Sequence, residues 1–208
     1  MAKKVPHLSS SRFKRALDAF QQQGGLLRTS EAMRVGVHPA TLYALRDAGT
    51  IELVSRGLYR LGKNPPLSNP DLVLVARRIP QGVVCLLSAL QYHEITTQIP
   101  HEVYVALPPG AWKPRLAHPP IRVFHFTGNA LTEGIETHTL DGVAVRIYDP
   151  EKTLADCFKF RNQIGMDTVM EALKLYRERR RLKVDALMRY AALCRVARIM
   201  RPYLEATL

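Results

Sequence analysis

No stretch of this chain is apolar enough to span a bilayer. The densest run, Val83 to Leu90, is short and interrupted by Ser88. The basic opening Met1-Ala-Lys-Lys-Val-Pro-His is followed by no apolar run, so no secretion signal is expected. Cysteine is scarce. Cys85, Cys157 and Cys194 are widely spaced and form no C-x-x-C, which argues against a disulfide framework and a zinc ribbon. They read as small buried thiols in a reducing cytoplasm, the expected location.

The signatures of catalysis are missing too. The chain has no G-x-S-x-G, no glycine-rich phosphate loop, no H-E-x-x-H and no Asp-x-Asp to hold two magnesium ions. His118, His125 and His138 fall in strand-rich sequence without ligand spacing. Asp149, Lys152 and Asp156 resemble an acid/base set. Asp149 has a helix to cap, however, and Lys152–Asp156 is the i, i+4 spacing of ordinary helix support. The expectation is a protein that is not an enzyme, with no catalytic residue, no metal and no cofactor.

What is present is positive charge on a globular composition. Of 208 residues 47% are hydrophobic and 23% charged, and the net charge is +12. Residues 1–63 carry 11 basic against 4 acidic side chains, a net +7. Residues 64–150 come to −1, with 6 against 7, and residues 151–208 to +6, with 13 against 7. A basic head and tail around a neutral middle suggest polyanion contact by particular segments. The stretch 64–70, Asn64-Pro65-Pro66-Leu67-Ser68-Asn69-Pro70, reads as a linker between a domain over 1–63 and another over 71–208.

In the first 63 residues, Phe13, Ala16, Leu17 and Phe20 make the apolar stripe of a helix from about Ser10 to Gln23. Thr29-Ser30 offers the N-cap of a short helix ending near Val35, with Gly36 in the left-handed position that a tight turn needs. Pro39 then opens a third helix that stops at Gly49. Thr50–Val54 and Leu58–Leu61 alternate as strands about the turn Ser55-Arg56-Gly57. Two short helices around a glycine followed by a hairpin describe a winged helix-turn-helix.

Leu42 and Leu45 should face the core, which points Ala40, Tyr43, Ala44 and Asp47 outward with Thr41 and Arg46 on the flanks. Thr41 and Tyr43 are the expected base-edge or sugar contacts, and Arg46 would reach a guanine or a phosphate. The helix's amino end, near His38 and Ala40, offers N–H groups to a phosphate. Arg56, Arg60 and Lys63 lie on or beside the wing and would hold the backbone.

The remainder predicts helices over 70–79 and 83–92, then strands over 102–107, 121–126, 134–139 and 143–148, with Asp141-Gly142 as a hairpin turn. Asp149 as N-cap and Pro150 at the first position open a helix whose apolar face is Leu154, Cys157 and Phe158. Three more helices follow over 166–179, 184–194 and 196–204. The fold class is α+β: a winged helix, then a small sheet flanked by helices, with a helical C-terminal tail. Arg177, Arg179, Arg180, Arg181 and Lys183 read either as a solvated helix end or as a patch for a polyanion or a partner protein.

Three groups of residues together resemble the AbiEi antitoxins of bacterial type IV toxin–antitoxin systems. The first runs from Gly36-Val37-His38-Pro39-Ala40-Thr41-Leu42-Tyr43 to Arg56-Gly57-Leu58-Tyr59-Arg60-Leu61. The second is Leu87-Ser88-Ala89-Leu90 followed by Thr97-Gln98-Ile99-Pro100. The third, and the most specific, is Tyr148-Asp149-Pro150-Glu151-Lys152-Thr153-Leu154-Ala155-Asp156.

The resemblance implies a winged helix that binds double-stranded DNA, the promoter repeats of its own operon, and represses it. It also implies a C-terminal domain that counteracts a nucleotidyltransferase-like toxin without needing a stable complex, in abortive infection and phage defence. Two other readings of the residues stay open. One is a stand-alone winged-helix regulator whose second domain senses a ligand. The other is a degenerate nucleotidyltransferase or nuclease, against which the missing carboxylate pair speaks.

Overall fold

Among the residues that this computed structural model describes (11–62, 69–111, 116, 118–179 and 182–206), the elements fall into two units, residues 1–68 and 69–208. In the first unit the apolar stripe folds as helix α1, Ser11–Gln22, which buries Phe13, Ala16, Ala19 and Phe20. Strand β1, Leu26–Arg28, leads into helix α2, Thr29–Arg34, and helix α3, Pro39–Asp47, follows. Strands β2, Ile51–Ser55, and β3, Leu58–Leu61, close an antiparallel sheet in the order β1-β3-β2. Leu27, Val37, Leu42, Leu45, Ile51 and Tyr59 join the α1 stripe in one core.

Strand β1 was not expected. Three residues are too few to show alternation, and their pairing partner lies some thirty residues further on, Leu27 opposite Tyr59. The strand also moves the start of α2. Arg28, not Thr29 or Ser30, occupies the cap position, and its N–H donates to Glu31 Oε2 at 2.9 Å. Gly36 turns the chain from α2 to α3 at φ +77, as the tight connection requires.

The second unit begins with helix α4, Pro70–Arg78, close to the helix expected over 70–79, so Pro70, which also closed the expected linker, is its first residue; residues 63–68 lie outside the described residues. Its five-stranded sheet has the order β6-β5-β4-β8-β7. The strands are β4 (Val83–Val84), β5 (Val103–Leu107), β6 (Ile121–His125), β7 (Ile135–Leu140) and β8 (Val143–Tyr148). The sheet is mixed: β5–β6 and β4–β8 are parallel, β4–β5 and β7–β8 antiparallel. Here the expected helix over 83–92 is corrected. Val83-Val84 is the middle strand, and only Leu86–Tyr92 is helical, as α5. A continuous apolar run suits either a buried strand or a buried helix, and periodicity does not separate them.

The remaining helices are α6 (Asn129–Thr132), α7 (Pro150–Lys159), α8 (Arg161–Ile164), α9 (Met166–Arg179), α10 (Val184–Leu193) and α11 (Ala197–Glu205). Helix α7 is the hub: α5, α8, α9, α10 and α11 all pack on it. Every residue from Pro150 to Phe158 is buried, on its polar side as well as its apolar one.

A helix polar on one side and buried all round must satisfy its polar groups internally. Asp149 accepts from the Lys152 N–H at 2.6 Å and from the Tyr190 hydroxyl at 2.7 Å. Glu151 accepts from the Tyr176 hydroxyl at 2.6 Å and lies 3.0 Å from Lys183 Nζ. Thr153 donates its hydroxyl to the Tyr148 carbonyl, to which His93 Nε2 also donates at 2.7 Å. Lys152 and Asp156, expected as an i, i+4 helix pair, are paired at 2.6 Å and both fully buried. Lys152 Nζ lies 4.1 Å from the Tyr148 ring centroid, and Asp156 accepts a second bond from the Cys194 thiol at 3.1 Å.

The electrostatics follow from this burial. Loss of water raises Asp156, against the opposing pull of Lys152, and raises Asp149 against its hydrogen bonds. Burial also pushes the Cys194 thiol up to about 12, with Asp156 adding to it. Glu151 differs. Burial lifts its carboxyl, but the bonds from Tyr176 and Lys183 outweigh that and hold it below its ordinary value. One glycine makes the arrangement possible: a Cβ on Gly134 (φ +75) would stand 2.7 Å from Lys152 Cβ and 3.1 Å from Asp149 Oδ2.

Three measurements check this core. Lys152→Ala strands a buried carboxylate and should cost about 3–5 kcal/mol in denaturant unfolding, whereas Lys152→Met combined with Asp156→Leu should recover most of that loss. Equal losses in both would deny the coupling. Gly134→Ala should destabilise by roughly 1–3 kcal/mol, and an unchanged midpoint would deny the close approach. Glu151, held low in the fold, contributes stability above its unfolded value near about 4.3 and loses it as pH falls. Asp149 and Asp156, held high, carry the opposite sign. The stability difference between the wild type and Glu151→Gln should therefore shrink on acidification below pH ~4, and a pH-independent difference would contradict this.

Candidate functional site

Helices α2 and α3 pack against each other, and α3 sets its inner stripe with Leu42 and Leu45. Thr41 belongs to that stripe as well, being four residues before Leu45, and is only 7% exposed. This corrects its place as a base-edge contact: its side chain faces the core side of the helix. His38 is exposed and caps the helix, its Nδ1 accepting the Ala40 N–H at 3.2 Å, while its carbonyl accepts the Thr41 N–H. Pro39 brings no N–H. The amino end expected to greet a phosphate is thus already satisfied by its own cap, and Ala40 is exposed with its donor engaged.

The outer face of α3 is made by Tyr43, Arg46 and Asp47. Tyr43 is 49% exposed, a large aromatic left in solvent. The Arg46 guanidinium lies 5.5 Å from the Tyr43 ring centroid. It also donates Nε–H and Nη2–H to one oxygen of Asp47, at 3.1 and 2.8 Å. Hydrogen bonding to Asp47 raises the Arg46 guanidinium above its ordinary value. Behind this face sits Tyr59 of β3, whose hydroxyl is raised by burial, raised further by Tyr43 and lowered by Arg46. The sequence brought out Tyr43 and Arg46 as contacts; Asp47 was only an outward residue and Tyr59 was not singled out.

The β2–β3 hairpin carries the other candidates. Its turn folds onto the start of α2, with the Thr29 N–H donating to the Gly57 carbonyl at 2.9 Å. Arg56 is exposed at that turn. The Arg60 guanidinium pairs across the strands with Glu52 at 2.5 Å. Direct cross-strand opposition of Glu52 and Arg60 explains it. Lys63 lies outside the described residues.

The basic cluster of the C-terminal tail divides. Arg180 and Arg181 lie outside the described residues, and Arg177 is exposed on α9. Arg179 donates to the Glu94 carbonyl, and Lys183 lies against the buried Glu151. A carboxylate inside the α7 hub needs a cation nearby, so Lys183 serves the fold of its own unit. In the segments Leu87–Leu90 and Thr97–Pro100 the polar side chains also serve the fold: Ser88 Oγ accepts the Tyr104 N–H, and Thr97, like the neighbouring Thr96, donates its hydroxyl to Glu171. Among the described residues no three His, Cys, Asp or Glu side chains stand where they could hold a metal ion, and no helix is long and apolar enough to cross a membrane.

Comparison with known proteins finds similarity to a family model and to solved structures. No curated protein matches the chain. Among solved structures, the crystal structure of the RV2827C protein from Mycobacterium tuberculosis is similar, with a TM-score of 0.57 at 13% identity, over 88% of this chain and 72% of that one. At that identity the likeness shows the fold alone, a mixed α and β architecture. A family model described as "Transcriptional regulator, AbiEi antitoxin" matches residues 14–62, the segment that runs from α1 to the end of the hairpin. Over residues 14–62 the chain is therefore similar to the AbiEi antitoxin family of transcriptional regulators.

Proposed function

We propose that this protein is a DNA-binding transcriptional repressor and the antitoxin of a type IV toxin–antitoxin system. In this reading the first unit is a winged helix-turn-helix: α2 and α3 are the paired helices, α3 enters the major groove, and the β2–β3 hairpin is the wing. The second unit counteracts a nucleotidyltransferase-like toxin in the cytoplasm. Its operon is its own target, and the pair acts in abortive phage infection.

One observation carries the reading. The family match falls on the elements that present the exposed Tyr43–Arg46 face, with the basic Arg56 turn in the same unit. An exposed aromatic beside a guanidinium on a short helix suits base edges and sugars better than it suits solvent. The net +7 of residues 1–63 supplies the attraction to phosphate. Within the unit, Tyr43, Arg46 and Arg56 are the contacts the geometry favours, with His38 and Ala40 fixing the amino end of α3.

The test separates the two roles in cells. The full chain is co-expressed with the product of a neighbouring nucleotidyltransferase-like gene and scored for growth rescue and for repression of its own promoter. Tyr43→Ala combined with Arg46→Ala should abolish repression and keep rescue, because the substitutions are confined to the first unit. Repression that survives the double change refutes the α3 assignment, and loss of rescue refutes the division of roles. In vitro, Arg56→Ala should weaken binding at all sequences and reduce the salt slope by about one; an unchanged slope would remove the wing from the interface.

A further inference from the structure

Arg46 and Asp47 are neighbours in sequence and both exposed, yet they are joined by two hydrogen bonds rather than pointing apart. An acidic side chain on the face of a DNA-reading helix would ordinarily repel phosphate. Here its charge is met by the adjacent guanidinium. The two bonds also use a particular edge of the guanidinium. Nε–H and one Nη2–H face a single oxygen of Asp47, while the guanidinium carbon stands over the Tyr43 ring, 5.5 Å from its centroid. A guanidinium has five N–H donors in a rigid plane, so three are left, and two of these, one on each Nη, form the terminal edge that points away from Asp47.

A terminal fork held in one orientation matches the two acceptors of guanine, O6 and N7, in the major groove. A phosphate contact needs no such fixing, since a mobile guanidinium serves it as well. We infer that Asp47 is a positioning residue that holds Arg46 as a reader of guanine, so that the pair sets sequence specificity rather than general affinity. The inference rests on the DNA-binding reading of α3 and deepens it. Asp47 keeps a second oxygen, which can accept from a cytosine or adenine amino group at the adjoining step. Such a contact would extend the same readout by one base.

The experiment uses the full chain and a library of randomised 20-base-pair duplexes. The enriched duplex is then compared with versions carrying each other base at every position. For the wild type, one guanine per bound chain should be preferred on the order of ten-fold over any other base. Asp47→Ala and Arg46→Ala should each bring that ratio close to one at the same position and leave the preferences at other positions in place. Asp47→Glu, which restores the carboxylate, should recover part of the preference. Thermal melting of each variant confirms that the unit is folded.

Three outcomes overturn the inference. Guanine preference that survives Asp47→Ala means that the carboxylate does not position Arg46. Uniform weakening by Arg46→Ala at every sequence, with a shallower salt slope, makes Arg46 a phosphate contact. A wild type that retains no duplex at all overturns the DNA-binding reading itself, and that result is distinct from the other two.

Discussion

Helix α7 holds the second unit together, and the ion pair at its centre constrains everything packed on it. Lys152 and Asp156 lie fully buried at 2.6 Å. Their mutual attraction must offset the loss of two hydration shells, which it does only with the further partners that surround them. Cys194 supplies a donor to the carboxylate, and the Tyr148 and Phe126 rings receive the ammonium. Gly134 lets β7 come close enough to seal the site. The hydrogen bonds from Tyr176, Tyr190 and His93 then fix α9, α10 and α5 against the α7 region.

The Tyr148–Asp156 segment is thus a structural motif in this protein. Each of its polar side chains has a hydrogen-bond or ion-pair partner within the unit. The carboxylates and the lysine that looked like an acid/base set in sequence are engaged in holding helices. Whatever the second unit recognises, its surface is carried on a frame whose polarity is directed inward.

Much of the fold was legible in the sequence because its elements declare themselves locally. The stripe of α1, the cap and proline that open α7 and the Asp141-Gly142 hairpin turn all follow from short-range chemistry. The failures are long-range. Strand β1 exists only because Tyr59 and its neighbours lie opposite it, and Val83-Val84 is a strand because Val105 and Ile147 flank it. Burial of Lys152 and Asp156 was invisible for the same reason: spacing reports a helical pair but not what covers it. At the candidate site, the outward position of Tyr43 and Arg46 on α3 followed from helical geometry. Thr41, expected on the flank of the helix, is buried with its inner stripe, and the pairing of Arg60 with Glu52 across the strands was not foreseen.

The central claim is that the outer face of α3 enters the major groove of DNA. Guanine N7 methylation interference on a duplex bound by the full chain tests it most directly, because N7 lies in the major groove alone. Methylation of at least one guanine N7 in the bound site should exclude that duplex from the complex. Binding indifferent to N7 methylation throughout the site would contradict the account.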